Sequence, residues 1–217
     1  MEKREILNQM ISEGLIPVVR VTDAKEAMDV ADALKEGGVH FIEITMSVQG
    51  AIDVIKELTQ KYKDEIILGA GTVLDAETGR AALLAGAQFL VSPTLNLDLI
   101  QLGHRYSAVV IPGTMTPTEM LTAWNAGADM VKVFPAAQLG GPEYIKAVRG
   151  PLPQILIIPT GGVNLQNAGA FIKAGAVALG AGGELVDKTA IKERKFNIIT
   201  ENTRAFLKAI REARGQD

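Results

Sequence analysis

Four stretches of this chain can be laid over one another: Gly38-Val-His-Phe-Ile-Glu-Ile, Gly86-Ala-Gln-Phe-Leu-Val-Ser, Gly127-Ala-Asp-Met-Val-Lys-Val and Gly175-Ala-Val-Ala-Leu-Gly-Ala. In each, a helix-like segment ends at glycine, which suits a left-handed C-cap, and an apolar run follows. The four glycines are spaced by 48, 41 and 48 residues. Between them lie four more apolar runs, in the segments beginning at Leu15, Ile66, Ala108 and Ile155. Two of these continue alike, as Ala70-Gly-Thr-Val-Leu-Asp-Ala-Glu and Pro112-Gly-Thr-Met-Thr-Pro-Thr-Glu. The chain therefore reads as four copies of a strand-helix-strand-helix unit, with strands starting near 15, 39, 66, 88, 107, 129, 155 and 176.

Helix starts follow the strands. Asp23 with Glu26 fits a capping box, and Thr116, Pro117 and Glu119 fit N-cap, N1 and N3. Asp75, Asn96 and Asn164 are further N-caps. Short, nearly continuous apolar strands alternating with helices mean parallel pairing with both faces covered. The solution that also explains the fourfold similarity is a closed (β/α)8 TIM barrel. An open doubly wound sheet is the alternative. An extra N-terminal helix at about 2–13 would cap the barrel's bottom, and a last helix at about 196–213 would complete the ring. No linker or low-complexity stretch interrupts the 217 residues, so a single barrel domain over 1–217 is expected.

Composition narrows the partners. Net charge is −3, with no basic face to suit nucleic acid. Cysteine is absent, which excludes a disulfide framework and thiolate chemistry. The charged, amphipathic N-terminus is no signal peptide and no run approaches the length of a membrane span, so a cytoplasmic protein is expected.

In such barrels function collects at the C-terminal ends of the strands, and interior layers are built by alternate strands. The position five after each aligned glycine is Glu43, Val91, Lys132 and Gly180. These residues should share one layer, with Glu43 facing Lys132 and Gly180 leaving room for a small molecule. An amine ringed by Met130, Val131, Val133 and Phe134 should lose hydration and become nucleophilic towards a ketone. A carboxylate opposite can shuttle protons. The plain alternatives are a lysine that snorkels to water, or a structural ion pair, which is costly unless fully hydrogen-bonded. The same parity turns Arg20, Thr72 and Phe134 inward, and Arg20 could clamp a carboxylate. Glycine pairs after strands 7 and 8, Gly161-Gly162 and Gly182-Gly183, suit a phosphate. His40 should pack under a helix and His104 should lie on one. No cluster has metal-ligand spacing, so metal-free chemistry is expected.

The segments around Glu43, Thr72, Pro93, Lys132 and Gly161–Gly162, together with the Pro-Gly-x-Met-Thr-Pro-Thr-Glu run and the last glycine loop, resemble the 2-keto-3-deoxy-6-phosphogluconate (KDPG) and 4-hydroxy-2-oxoglutarate (KHG) aldolase family over essentially the whole chain. The resemblance implies a class I aldolase with no cofactor beyond a covalent lysine imine, acting as a homotrimer on a phosphorylated 2-keto acid. Lys132 would form the imine and Glu43 would act as general base and acid. Thr72 would hold the pyruvate carboxylate, Pro93 and Phe134 would line the pocket with Thr45 nearby, and Gly161, Gly162, Gly182 and Gly183 would hold the phosphate. Two positions depart from the family pattern. Ser47 stands where the family places a carboxylate-binding arginine, and Arg20 would supply that charge. Gly183-Glu184 stands where a serine is common, which sets a carboxylate beside the phosphate site. Another phosphate-binding barrel, such as a thiamine-phosphate synthase or a ribulose-phosphate epimerase, and a trimeric scaffold with a silent site are the competing readings.

Overall fold

A computed structural model describes residues 1–21 and 23–216; Thr22 and Asp217, both within the expected 1–217 unit, lie outside the described residues. Strands β1 (Leu15–Val19), β2 (Phe41–Thr45), β3 (Ile67–Gly71), β4 (Phe89–Val91) and β5 (Val109–Ile111) pair in parallel order, and β9 (Leu179–Ala181) flanks β1. A second ladder joins β6 (Gly113–Thr114), β7 (Val131–Val133) and β8 (Ile157–Pro159). Pro112 separates β5 from β6. Proline has no N–H for the ladder, but its carbonyl still accepts from Lys132 N at 2.8 Å, and Val110 O accepts from Asp129 N at 3.2 Å. The two pieces therefore act as one barrel strand. A parallel bridge between Thr160 and Gly180 joins β8 to β9 and closes the ring. The closed barrel is thus the observed solution, and the open sheet is not.

The interior is filled by Ile16, Phe41, Ile67, Phe89, Val109, Met130, Ile158 and Ala178. Gly69 makes space for Phe89, whose ring would lie 2.2 Å from any Cβ added there. Helix α1 (Lys3–Glu13) sits beneath, and its Ile6 and Met10 close the bottom of this cluster. The strand residues of opposite parity pack beneath the surrounding helices α2 (Ala24–Gly37), α3 (Ala51–Tyr62), α4 (Ala76–Ala85), α5 (Leu97–Tyr106), α6 (Pro117–Asn125), α7 (Gly141–Arg149), α8 (Leu165–Lys173) and α10 (Phe196–Arg214).

The helix starts are held by the expected side chains. Asp23, Asp75 and Asn96 accept from Glu26 N, Thr78 N and Leu99 N, and Thr116–Glu119 and Asn164–Asn167 close reciprocal boxes. Gly38 and Gly86 are left-handed C-caps, whereas Gly127 and Gly175 take positive φ one residue after a right-handed cap alanine. Strands begin up to three residues later than the apolar runs suggested, because the residues after each glycine carry the chain from the helix to the ladder before pairing starts. Two elements have no counterpart in the sequence reading: the split at Pro112 and a five-residue helix α9 (Lys188–Lys192) capped by Asp187. His104 lies on α5 as expected. His40 does not pack under a helix. Its side chain is 55% exposed and bonds to Glu13 at 2.8 Å, on the last turn of α1, because it precedes β2 and faces the barrel's lower rim.

Candidate active site at the strand C-termini

Period-two alternation along β2 and β7 carries Glu43 and Lys132 into the barrel. Both are 3% exposed. Together with Val91, Gly180, Ile16, Ile111, Ile158 and Thr160 they line one cavity of about 10 Å³. The expected layer of Glu43, Val91, Lys132 and Gly180 therefore forms. Its open space holds about one water molecule, so this chamber alone is smaller than a keto acid needs. Thr160 and Gly180 also line an adjoining cleft of about 170 Å³ bounded by Arg20, Phe134, Gly161, Gly162, Gly182, Gly183 and Glu184. A substrate has its volume there and can send only its reacting end inward.

Glu43 lies directly over Gly71. A Cβ at that glycine would come 1.9 Å from Oε1, so only glycine admits the carboxylate. Oε1 has no hydrogen-bond partner in the protein. Burial pushes the Glu43 carboxyl above its usual range, and the positive charges of Lys132 and then Arg20 oppose that rise without cancelling it. Neither Glu43 nor Lys132 belongs to any of the described salt bridges. The two share a chamber without a nitrogen–oxygen contact of 4.0 Å or less, and the Lys132 charge still acts on the carboxyl across it. The Lys132 amine lies 5.3 Å from the centroid of the Phe134 ring. It is buried and does not snorkel.

The remaining expected residues divide into three groups. Phe134, Gly161, Gly162, Gly182 and Gly183 converge on the cleft, and added Cβ atoms at Gly182 and Gly183 would meet nothing within 4 Å. Glu184 also faces the cleft and is exposed, so a carboxylate does lie beside the glycine loops. Arg20 reaches the cleft from the end of β1 but is exposed at the rim. Thr45 is fully buried, with its hydroxyl 3.3 Å from Val19 O and 2.8 Å from Ser47 Oγ, and neither cavity touches it. Pro93 is half-buried, and its backbone lies against Gly113. Thr72 is half-buried at the end of β3 and takes φ 57. A β-branched residue held in the left-handed region costs about 1–3 kcal/mol. Val73 N, bonded to Val91 O at 3.1 Å, fixes the turn in place. Ile67, Gly69 and Gly71 take the inward positions of β3, so strand parity does not turn Thr72 inward, contrary to expectation, and Thr72 lines neither cavity.

Thr160 is the residue the sequence reading passed over. It is 5% exposed, lines both chamber and cleft, and occupies the space that the absent Gly180 side chain leaves, within 2.1 Å of a Cβ built there. Its parity after Ile158 and its place before the Gly161-Gly162 pair were the available signals. Among the described residues no group of three or more His, Cys, Asp or Glu side chains is placed to hold a metal, and no helix is long and apolar enough to cross a membrane.

Comparison with known proteins gives this geometry a context. The family model described as KDPG and KHG aldolase matches residues 6–202. The 2-dehydro-3-deoxy-phosphogluconate aldolase of Pseudoalteromonas atlantica is 35% identical over 193 residues, covering 88% of this chain and 89% of that protein. A KDPG aldolase structure from Legionella pneumophila, with pyruvate captured at low pH as a covalent carbinolamine intermediate, superimposes with TM-score 0.84 at 30% identity. It covers 92% of this chain and 97% of its own. A cube-shaped porous cage designed by fusing symmetric oligomeric domains matches with TM-score 0.85 at 32% identity, over 94% of this chain and 74% of its own.

Proposed function

Because the chain belongs to the KDPG and KHG aldolase family, we propose that it is a metal-independent class I aldolase that cleaves 2-keto-3-deoxy-6-phosphogluconate to pyruvate and glyceraldehyde 3-phosphate, with 4-hydroxy-2-oxoglutarate as a second substrate. The observation that carries this reading is the burial of Lys132 and Glu43 together in one chamber, without a direct salt-bridge contact. The Lys132 amine attacks the C2 ketone, and loss of water leaves an imine. Glu43, through a water of the size the chamber holds, removes the proton of the C4 hydroxyl. The C3–C4 bonding pair then flows into the imine, C4 departs as the aldehyde, and an enamine remains. Protonation at C3 and hydrolysis release pyruvate and regenerate the amine. The imine supplies the electron sink, so the mechanism calls for no cofactor.

The cleft divides the substrate between its ends. Arg20, which lines the cleft, would hold the substrate carboxylate with Thr72 as its proposed second contact, although Thr72 lines neither cavity, and the open backbone of the two glycine loops in the cleft would hold the phosphate. Glu184, which faces the cleft, opposes any anionic group held there, and it should weaken binding of the more highly charged phosphate of KDPG more than that of the second carboxylate of KHG. The reading also carries a cytoplasmic location, one working unit spanning 1–217 and a homotrimer. Exposed Leu74, Leu97 and Met115, in or beside the loops after β3, β4 and β6, supply apolar surface for such association.

The direct test is pyruvate release from KDPG in the presence of a metal chelator. Undiminished turnover is expected; no release from KDPG or from 4-hydroxy-2-oxoglutarate would refute the reading. Arg20 has its own test. Losing a charge-assisted contact of about 1.5–3 kcal/mol should raise the KM of Arg20→Ala roughly 10- to 100-fold. Imine trapping at saturating pyruvate should stay near wild type. An unchanged KM would return the carboxylate to Thr72 alone.

A further inference from the structure

A second cavity, of about 540 Å³, opens beside the C-terminal rim between the end of β1, the first turn of α2 and the α9–α10 connection. Arg20, Lys188, Lys192 and Arg194 line it, and Glu26 is the one carboxylate among its described lining residues. Ile191 adds apolar wall. Lys188 and Lys192 are four residues apart on α9, which brings like charges to one helix face and destabilises it slightly. Neither lysine joins an ion pair with a described residue, and nearby Glu193 is taken by Lys195 at 2.7 Å. Arg194 is held in place: its Nη2 lies 3.2 Å from Asp29 Oδ2, and its guanidinium lies 5.5 Å from the Phe196 ring centroid. Four cations against one carboxylate in the lining leave a net positive concave site, which concentrates anions.

We propose that this cavity binds a small organic anion, with its phosphoryl or carboxylate oxygens between Lys188, Lys192 and Arg194 and its apolar part against Ile191. It is a site distinct from the substrate cleft, and Arg20 stands in the wall between the two, lining both. The binding does not depend on the aldolase reading. An anion seated here would nonetheless draw on the same guanidinium that the substrate carboxylate uses.

Calorimetric titration of the full chain with inorganic phosphate and, separately, with citrate tests the site. The Lys188→Ala/Lys192→Ala double variant should bind the tighter of the two anions about tenfold or more weakly. The paired Lys188→Arg/Lys192→Arg variant should restore binding, and turnover of the double alanine variant in anion-free buffer should stay within about twofold of wild type. Gly183→Asp, which places a carboxylate in the open substrate cleft, should leave this binding unchanged. Tighter phosphate identifies a phosphoryl ligand and tighter citrate a carboxylate ligand; either supports the site. Binding of neither anion, equal binding by the double alanine variant, or loss in Gly183→Asp with retention in the double variant overturns it.

Discussion

Lys132→Ala is expected to abolish turnover by roughly 10⁴- to 10⁶-fold, the scale on which removal of a covalent nucleophile acts. With pyruvate and borohydride, wild-type protein should gain one reduced pyruvate on Lys132 and the variant should gain none. Alanine also removes a positive charge that holds down the rise in the Glu43 pKa, so the alanine variant alone does not separate nucleophile from counter-charge. Lys132→Arg separates them. Arginine keeps the charge and stays protonated at all working pH values, so it cannot attack a ketone. If Lys132 acts as nucleophile, both variants are dead and neither is trapped. Substantial turnover in the arginine variant would show that the charge is what matters and would end the imine mechanism. The side chain is 3% exposed, in a layer where Gly180 supplies no side chain. A folding check by melting therefore accompanies both variants.

The parts of this site that were legible in the sequence are those governed by period and position. Glu43 and Lys132 fall at the same offset in two copies of a repeated segment, so strand alternation and the layered interior place them together whatever the surrounding loops do. Capping side chains were legible because Asp23, Thr116 and Asn164 act on backbone N–H groups two or three residues away. The parts that were not legible depend on distance across the chain or on exposure. His40 is drawn to Glu13, 27 residues earlier, by a hydrogen bond that no local pattern announces. Arg20 obeys strand parity, yet it leaves β1 at the rim, and a long charged side chain there turns to water. Thr45 also obeys parity, but its hydroxyl is used up by Val19 O and Ser47. The strained φ of Thr72 has no sequence signature, because glycine is the residue usual there. The chamber's small volume follows from packing density, which a one-dimensional pattern does not contain.

Glu43→Gln should separate catalysis from stability in opposite directions. Glutamine keeps the shape above Gly71 and cannot take a proton, so kcat should fall by about 10²- to 10⁴-fold. Borohydride trapping of pyruvate on Lys132 should survive, since the amine remains. Stability should move the other way. Burial holds the folded-state pKa of Glu43 above its unfolded value despite Lys132 and Arg20. Below the unfolded pKa, about 4.3, the carboxyl is protonated in both states and its ionisation does not affect folding. As pH rises from the unfolded pKa through the folded one, the unfolded chain ionises before the folded one, and wild type loses stability that the glutamine variant keeps, the loss being complete above the folded pKa. The variant should therefore melt higher than wild type near pH 7–8, by about 2–4 °C for each kcal/mol relieved. That gap should narrow as pH falls towards 4. A gap that is absent at neutral pH, or that widens on acidification, would mean that Glu43 is stabilised as a carboxylate by its neighbours.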